Sequence, residues 1–247
     1  MNKEKLLYEN SKHALQSDNI IAITNRHLCS RPFMEQLERV CKLHPHAIVL
    51  REKDMPEAEY LSLARDVIAL CKKYDVQCML HSFINVAMEL EHPYIHLPLA
   101  SLEQLACNTR DHTGIWQTTD ISTNRTGFNS DYQHFFNVIG TSVHSVEDAI
   151  KAEQLGATYM TAGHIFATDC KKGLPPRGLD FLKNVCDAVG IPVYAIGGIN
   201  IASSDNSTAF DAPSDYDAMP DISVPRLADV MKCGAAGGCI MSGMMRV

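Results

Sequence analysis

The bulk properties of the 247-residue chain limit what it can be. Hydrophobic residues make up 46% and charged residues 21%, which is typical of a globular protein with a sizeable core. The formal net charge of −7 argues against nucleic-acid and anionic-membrane partners, since both favour a basic surface. Residues 1–19 lack the apolar segment of a signal peptide, and no apolar run approaches the length of a membrane span. The nine cysteines form no C-x-x-C pair, so we expect reduced thiols in a cytoplasmic protein.

Short β-rich runs alternate with helical patterns in the first half of the chain. In chain order they predict a strand at 20–24, a helix at 32–43, a strand at 47–50, a helix from Pro56 to about residue 74, a strand at 77–80, a short helix near 84–91, a strand at 94–97 and a helical turn at 101–106. Residues 107–134 then break the pattern, because they are polar and rich in Thr, Asn, Asp and Gly. They are predicted to form an inserted loop.

The same alternation resumes in the second half. It predicts a strand at 137–140, a helix at 145–155 capped by Ser145 and stopped by Gly156, a strand at 158–162, a loop at 163–178, a helix at about 179–189, a strand at 191–196, a polar insertion at 200–224, a helix at 225–232 and a strand at 238–241. Eight strands with helices between them predict one α/β domain over residues 1–247, a (β/α)₈ TIM barrel. Its last helix is short or missing.

The loops at the C-terminal ends of the strands form the active site in this fold. Gly197 and Gly198 close strand seven, and Ser242 and Gly243 close strand eight. Glycine lets backbone N–H groups approach an oxyanion, and this end of a TIM barrel is its usual phosphate site. We therefore predict that Gly198, Ser242 and Gly243 bind a phosphate group. The alternative is that the glycines only form tight turns.

Cationic and imidazole side chains follow other strands. Arg51 and Lys53 follow strand two, and strand alternation predicts that both point to the same side and bind the anionic groups of a substrate. The alternative for this pair is a solvated charge run. His144 follows strand five, where an imidazole with a pKa near 6.5 could shuttle a proton or serve only as a hydrogen-bonding group. The other candidate substrate-binding residues at strand ends are Ser142, His164, Thr168 and Lys171.

Four motifs together resemble the thiamine phosphate synthase and TenI superfamily. They are Ile-Thr-Asn at 23–25, Leu-Arg-Glu-Lys at 50–53, Ile-Gly-Thr-Ser-Val-His-Ser at 139–145 and Ala-Ile-Gly-Gly-Ile at 195–199. The resemblance covers nearly the whole chain outside residues 107–134 and 200–224. It implies a TIM-barrel enzyme of thiamine biosynthesis that acts on a small-molecule thiazole phosphate.

The superfamily has two branches, and the resemblance implies a choice between them. The synthase branch joins a pyrimidine pyrophosphate to a thiazole phosphate with Mg²⁺, and it typically carries Asn-Asp after strand three and an Asp shortly after strand four. This chain has His81-Ser82 and Ser101 there, which are poor ligands for a cation that prefers anionic oxygen. The loop after strand six reads Gly-His-Ile-Phe-Ala-Thr-Asp-Cys-Lys-Lys-Gly at 163–173, which resembles TenI, the thiazole tautomerase branch.

We therefore expect an isomerase that shifts a proton on a carboxythiazole phosphate, with no metal or other cofactor and with His144 at the matching catalytic position. One alternative is a Mg²⁺-dependent thiamine phosphate synthase in which Asp54 or Glu52 replaces the lost ligands. A second alternative is a non-catalytic regulator that keeps the phosphate pocket. Because the last helix is short, we also expect a homodimer.

Overall fold

The computed structural model describes residues 19–110, 116–118, 135–203 and 222–247. Eight of its strands close into a parallel barrel in the order β1-β8-β7-β6-β5-β4-β3-β2. These strands are β1 (Ile20–Ile23), β2 (Ala47–Leu50), β3 (Gln77–His81), β4 (Tyr94–Pro98), β5 (Val138–Val143), β6 (Tyr159–Gly163), β7 (Val193–Ile196) and β8 (Gly237–Ile240). The predicted TIM barrel is confirmed.

Helices connect the barrel strands and cover the outside of the barrel. They are α1 (Phe33–Lys42), α2 (Glu57–Lys73), α3 (Ile84–Glu89), α4 (Leu99–Cys107), α5 (Val146–Gln154), α6 (Gly178–Ala188) and α7 (Leu227–Lys232). The predicted cap of α5 is confirmed, since the Ser145 hydroxyl accepts a hydrogen bond from the Asp148 backbone N–H at 3.0 Å. Gly156, at a φ of 88°, follows the end of this helix as predicted.

Several elements extend beyond their predicted bounds, and the largest extensions are in β5 and α4. Strand β5 continues three residues past Gly140, through Thr141 to Val143, because β-branched residues suit an extended backbone. The helical turn predicted at 101–106 is the nine-residue helix α4. The longer β5 carries Ser142 within the barrel wall rather than in a loop.

Both polar insertions contain a short antiparallel pair outside the barrel. In the first, predicted at 107–134, Asn108–Arg110 pairs with Trp116–Thr118. In the second, predicted at 200–224, Ala202–Ser203 pairs with Ile222–Ser223. Residues 111–115 and 119–134 of the first insertion and 204–221 of the second lie outside the described residues. After β8 the described chain forms one 3₁₀ turn, Met244–Arg246, in place of the last helix.

Side chains of the strands alternate between two apolar layers. In β1, Ile20 and Ala22 pack in the layer shared with the helices, whereas Ile21 and Ile23 belong to a cluster formed by strand residues inside the barrel. Tyr60 of α2 ties two strand ends together beneath the cavity described below. Its buried hydroxyl donates to the Leu50 carbonyl at 2.7 Å and accepts from the His81 N–H at 3.0 Å.

None of the described helices has the length and apolar character that a membrane crossing requires.

Candidate active site

A cavity of about 460 Å³ opens where the barrel strands end. Residues from all eight strands or the loops after them line it, as expected for a TIM barrel. The residues predicted for the site that line the cavity are Arg51, Lys53, Ser142, His144, His164, Thr168, Lys171, Gly198 and Ser242. Gly243 is not among the lining residues; a Cβ there would press on Ile240 and Ile201, so this glycine serves packing.

Three cationic side chains share the cavity, and we call Arg51, Lys53 and Lys171 the cationic cluster. Lys53 is exposed at the mouth, yet partial desolvation lowers its pKa, and repulsion by Arg51 and Lys171 lowers it further. Lys53 therefore interacts with the like charges of both Arg51 and Lys171. A bound anion would relieve this repulsion, so the cluster favours a negatively charged ligand.

The carboxylates of the same segment lie outside the cavity lining. Glu52 is 2% exposed and accepts hydrogen bonds from the Thr24 hydroxyl at 2.7 Å and from the Arg26 guanidinium at 3.0 Å. Asp54 receives two hydrogen bonds from the Arg26 guanidinium at 2.8 and 2.7 Å. The hydrogen bonds from Arg26 and His27 hold the pKa of the Asp54 carboxyl well below its usual range. Both carboxylates are therefore already bound to Arg26.

Small residues form another part of the cavity lining, and we call Gly197, Gly198 and Ser242 the glycine-rich wall. Gly197 and Gly198 have φ angles of 100° and 69°, which disfavour any side chain. A Cβ on Gly198 would also come within 2.6 Å of the Ala167 carbonyl oxygen. Glycine here leaves backbone and hydroxyl groups open to a ligand, an arrangement suited to a phosphate group.

Two histidines lie at the inner end of the cavity and stack on each other. The ring centroids of His81 and His96 are 5.5 Å apart with an angle of 20° between the planes. Burial lowers the pKa of His81 to about 2, helped by His96, Lys53 and Arg51. Burial likewise lowers the pKa of His96 to about 3, helped by Lys53 and Arg51. Both imidazoles are therefore neutral at physiological pH.

His144 lies at the edge of the cavity, beyond the end of β5. Its Nδ1 is 2.9 Å from the Gly163 carbonyl oxygen, which can only accept a hydrogen bond. The neutral ring must therefore carry its proton on Nδ1, and Nε2 keeps a lone pair. The His144 backbone N–H donates to the Asp148 carboxylate at 3.3 Å. This geometry orients the imidazole as a base or hydrogen-bond acceptor.

The donor set of the cavity does not fit Mg²⁺. Asp148 is the one carboxylate in the lining of the described cavity, and three cations face the same space. Nowhere in residues 19–110, 116–118, 135–203 and 222–247 do three or more His, Cys, Asp or Glu side chains cluster as metal ligands. The replacement ligands considered above, Asp54 and Glu52, are bound to Arg26 outside the lining. One carboxylate beside three cations is a poor match for Mg²⁺, which prefers anionic oxygen ligands.

Several polar residues of the cavity were not predicted as site residues from the sequence. They are His81, His96, Asp148, Thr161 and Asn200. Alternation along the strands could have found His81, His96 and Thr161, since each occupies an inward-pointing position near a strand end. Asn200 lies in the second insertion, where it accepts a hydrogen bond from Ser242 at 3.3 Å, and no local pattern indicates that contact.

Comparison with known proteins identifies relatives over most of the chain. The family model TMP-TENI, described as thiamine monophosphate synthase, matches residues 20–112 and 131–213. A putative thiamine-phosphate synthase 2 of Aquifex aeolicus is 32% identical over 185 residues, which cover 75% of this chain and 87% of that protein. A thiamine-phosphate synthase of Caldanaerobacter subterraneus is 28% identical and aligns with 73% of this chain and 75% of its own length.

Solved structures show the same fold. Thiamine phosphate pyrophosphorylase from Pyrococcus furiosus superposes with a TM-score of 0.63 at 24% identity, covering 93% of this chain and 89% of that one. At this identity the likeness concerns the barrel alone.

These relatives contradict the prediction of a thiazole tautomerase. Those named above are called thiamine-phosphate synthases, and the family model carries the names of both branches without separating them. The isomerase prediction is therefore wrong, and the synthase alternative is the one that the relatives favour. The isomerase prediction relied on the absence of two carboxylates and on the sequence of one loop. The loss of ligands argues against a metal site, but it does not by itself create a proton-transfer reaction.

Proposed function

Because the chain belongs to the thiamine monophosphate synthase family, we propose that it is a synthase of thiamine biosynthesis, a transferase that joins a pyrimidine pyrophosphate to a thiazole phosphate. The observation that supports the proposal is that one cavity contains two regions suited to anions. The cationic cluster forms one region and the glycine-rich wall forms the other. Two phosphorylated substrates need two such regions, whereas a substrate with one phosphate group needs one.

The proposed reaction is a substitution at carbon. The thiazole ring nitrogen forms a bond to the pyrimidine methylene carbon, while the bond from that carbon to the pyrophosphate oxygen breaks. The leaving pyrophosphate takes the electron pair, and no net proton transfer is required. Positive charge near the departing oxygen stabilises the transition state more than the ground state. Arg51, Lys53 and Lys171 are suited to that role, since repulsion among them is relieved as negative charge accumulates.

The other parts of the site bind and orient the substrates. The thiazole phosphate would occupy the glycine-rich wall, with Ser242 supplying a hydroxyl group. His144 would act as a hydrogen-bond acceptor through Nε2 rather than as a proton shuttle, since the substitution moves no proton overall. Holding both substrates in one cavity converts a bimolecular encounter into a reaction within one complex. Because the donor set does not fit Mg²⁺, no step is assigned to a metal.

A turnover assay tests the proposal directly. Purified protein is incubated with the pyrimidine pyrophosphate and the thiazole phosphate, once with added Mg²⁺ and once with excess chelator, and the products are separated by chromatography. We expect equal amounts of thiamine phosphate and pyrophosphate, and we expect turnover to persist in chelator because the cationic cluster supplies the positive charge.

Two results would contradict the synthase. Absence of both products under either condition would overturn the transferase activity. Tight binding of both substrates without turnover, measured as stabilisation against heat, would support the regulator alternative instead.

A further inference from the structure

A chain of hydrogen bonds runs from the barrel interior to the cavity. His96 on β4, Gly140 on β5 and Tyr159 on β6 are aligned in register across three neighbouring strands. Tyr159 reaches across Gly140, and its hydroxyl oxygen lies 2.9 Å from His96 Nδ1. On the other side of the ring, His96 Nε2 lies 2.9 Å from the hydroxyl oxygen of Ser142, which lines the cavity.

Gly140 makes this reach possible. A Cβ built on Gly140 would overlap Cε1, Cζ and the hydroxyl oxygen of Tyr159. Any side chain at this position would therefore push the phenol away from His96. Glycine is required here because the ring of Tyr159 approaches the backbone closely. This explains a glycine in the middle of a strand, where it is otherwise unfavourable.

The burial of Tyr159 sets the direction of the first hydrogen bond. Its side chain is buried among strand residues, and His96 is the acceptor recorded for its hydroxyl group within the described part of the chain. A buried phenol proton needs an acceptor, so it is donated to His96 Nδ1. A neutral imidazole with an accepting Nδ1 carries its proton on Nε2.

The second half of the chain follows from the first. His96 Nε2–H donates to the Ser142 hydroxyl oxygen at 2.9 Å, and the Thr161 hydroxyl donates to the same oxygen at 3.0 Å. Both lone pairs of that oxygen are then occupied. The hydroxyl proton of Ser142 has no partner among these groups, and the open side of Ser142 is the cavity.

We infer that Tyr159 is a positioning residue, which acts through His96 to make the Ser142 hydroxyl group a fixed hydrogen-bond donor to an anionic oxygen of the ligand. The identity of that ligand, a pyrophosphate group near Arg51 and Lys53, rests on the proposed function. The direction of the chain does not rest on it. A hydroxyl that can only donate distinguishes an anionic oxygen from a group that must itself donate, so the chain contributes to ligand selection.

The tautomer of His96 is the first test. In protein labelled with ¹⁵N-histidine, the signals of His96 are assigned by their loss in His96→Asn. We expect a protonated Nε2 and an unprotonated Nδ1 in the wild-type protein without any ligand. In Tyr159→Phe the donor to Nδ1 is absent, and we expect a mixture of the two tautomers. A wild-type His96 protonated on Nδ1 would overturn the inference.

A double-mutant cycle is the second test, with inorganic pyrophosphate as the probe. By calorimetry we expect Tyr159→Phe and Ser142→Ala each to weaken binding about tenfold, the usual scale of a hydrogen bond to a charged group. The double variant should be no weaker than Ser142→Ala alone, because both changes remove the same donor. Tyr194→Phe is the matched control: this buried ring lies 6.0 Å from that of Tyr159 and outside the cavity lining, so binding should be unchanged.

Additive effects of the two variants, or unchanged binding in Tyr159→Phe, would overturn the positioning role. The outcome is separable from that of the turnover assay. A protein that forms no thiamine phosphate but shows the expected tautomer and the expected non-additivity would lose the proposed function and keep this inference. Turnover together with additive effects of the two variants would support the proposed function and overturn this inference.

Discussion

The cationic cluster and the glycine-rich wall line one cavity and differ in what they present to an anion. Arg51, Lys53 and Lys171 offer net positive charge on long side chains. After β2, strand alternation places Arg51 and Lys53 in the cavity lining and leaves Glu52 and Asp54 outside it. Gly197 and Gly198 offer backbone geometry that only glycine adopts easily. The first region therefore depends on side-chain identity, and the two glycines of the second depend on the absence of a side chain.

Removing a charge from the cationic cluster should have the largest effect. In Arg51→Ala we expect kcat/KM of the proposed synthase reaction to fall about 100-fold, since truncating one partner of a charged pair typically costs about 2–5 kcal/mol. The measurement is a steady-state assay with both substrates. Arg65→Ala is the control, because Arg65 is exposed on α2 and pairs with Glu89 at 3.2 Å away from the cavity. Equal losses in the two variants would show that the charge of the cluster has no special role.

Adding a side chain to the glycine-rich wall should have an intermediate effect. In Gly198→Ala we expect a loss of about 1–3 kcal/mol in the free energy of unfolding, because the φ of 69° and the crowding at Ala167 both oppose a Cβ. Binding of inorganic phosphate should weaken in parallel. Gly173→Ala is the control: its φ is 86°, but a Cβ there meets nothing within 4 Å. If both variants bind phosphate like the wild type, the wall does not hold phosphate.

Replacing Asp54, the exposed carboxylate next to Lys53 in the sequence, should have the smallest effect. The change in the free energy of unfolding should depend on pH. Hydrogen bonds from Arg26 and His27 hold the Asp54 pKa below its usual value, so Asp54 stabilises the fold at neutral pH. That contribution is complete above the unfolded-state pKa of about 3.9 and is lost as the pH falls through the lower folded-state pKa.

Urea unfolding of wild type and Asp54→Asn at about pH 6 and about pH 3 measures this contribution. At the higher pH the wild type should have a slightly larger free energy of unfolding than Asp54→Asn. This difference between the two proteins, the gap, should narrow at the lower pH. A gap that widens in acid would mean that Arg26 does not stabilise the ionised carboxylate.

Local patterns in the sequence predicted the barrel and much of its cavity. Hydrophobic periodicity located all eight strands, and alternation after β2 placed Arg51 and Lys53 on one side. The bounds of β5 were underestimated, because Thr141, Ser142 and Val143 were interpreted as loop after a glycine. Gly140 looked like a strand end, but it is a strand residue whose side chain is replaced by the ring of Tyr159.

Contacts between distant residues could not be predicted in this way. The pairing of Arg26 with Glu52 and Asp54 joins two loops. The contact of Tyr159 on β6 with His96 on β4 crosses the intervening strand β5. Both depend on register and strand order, which periodicity does not determine. The tautomerase prediction is wrong for a different reason: the loss of metal ligands does not by itself indicate a different reaction.

The distribution of buried and exposed thiols allows the cavity to be labelled selectively. Burial raises the pKa of the Cys239 thiol, and the thiols of Cys41 and Cys71 are also buried with raised pKa values, which protects all three from alkylating reagents. Among the cysteines whose side chains the structure describes, Cys170 is the exposed one, and it lines the cavity beside Lys171. A fluorophore attached to Cys170 would report occupancy of the cavity optically, in a titration that needs no knowledge of the chemical step.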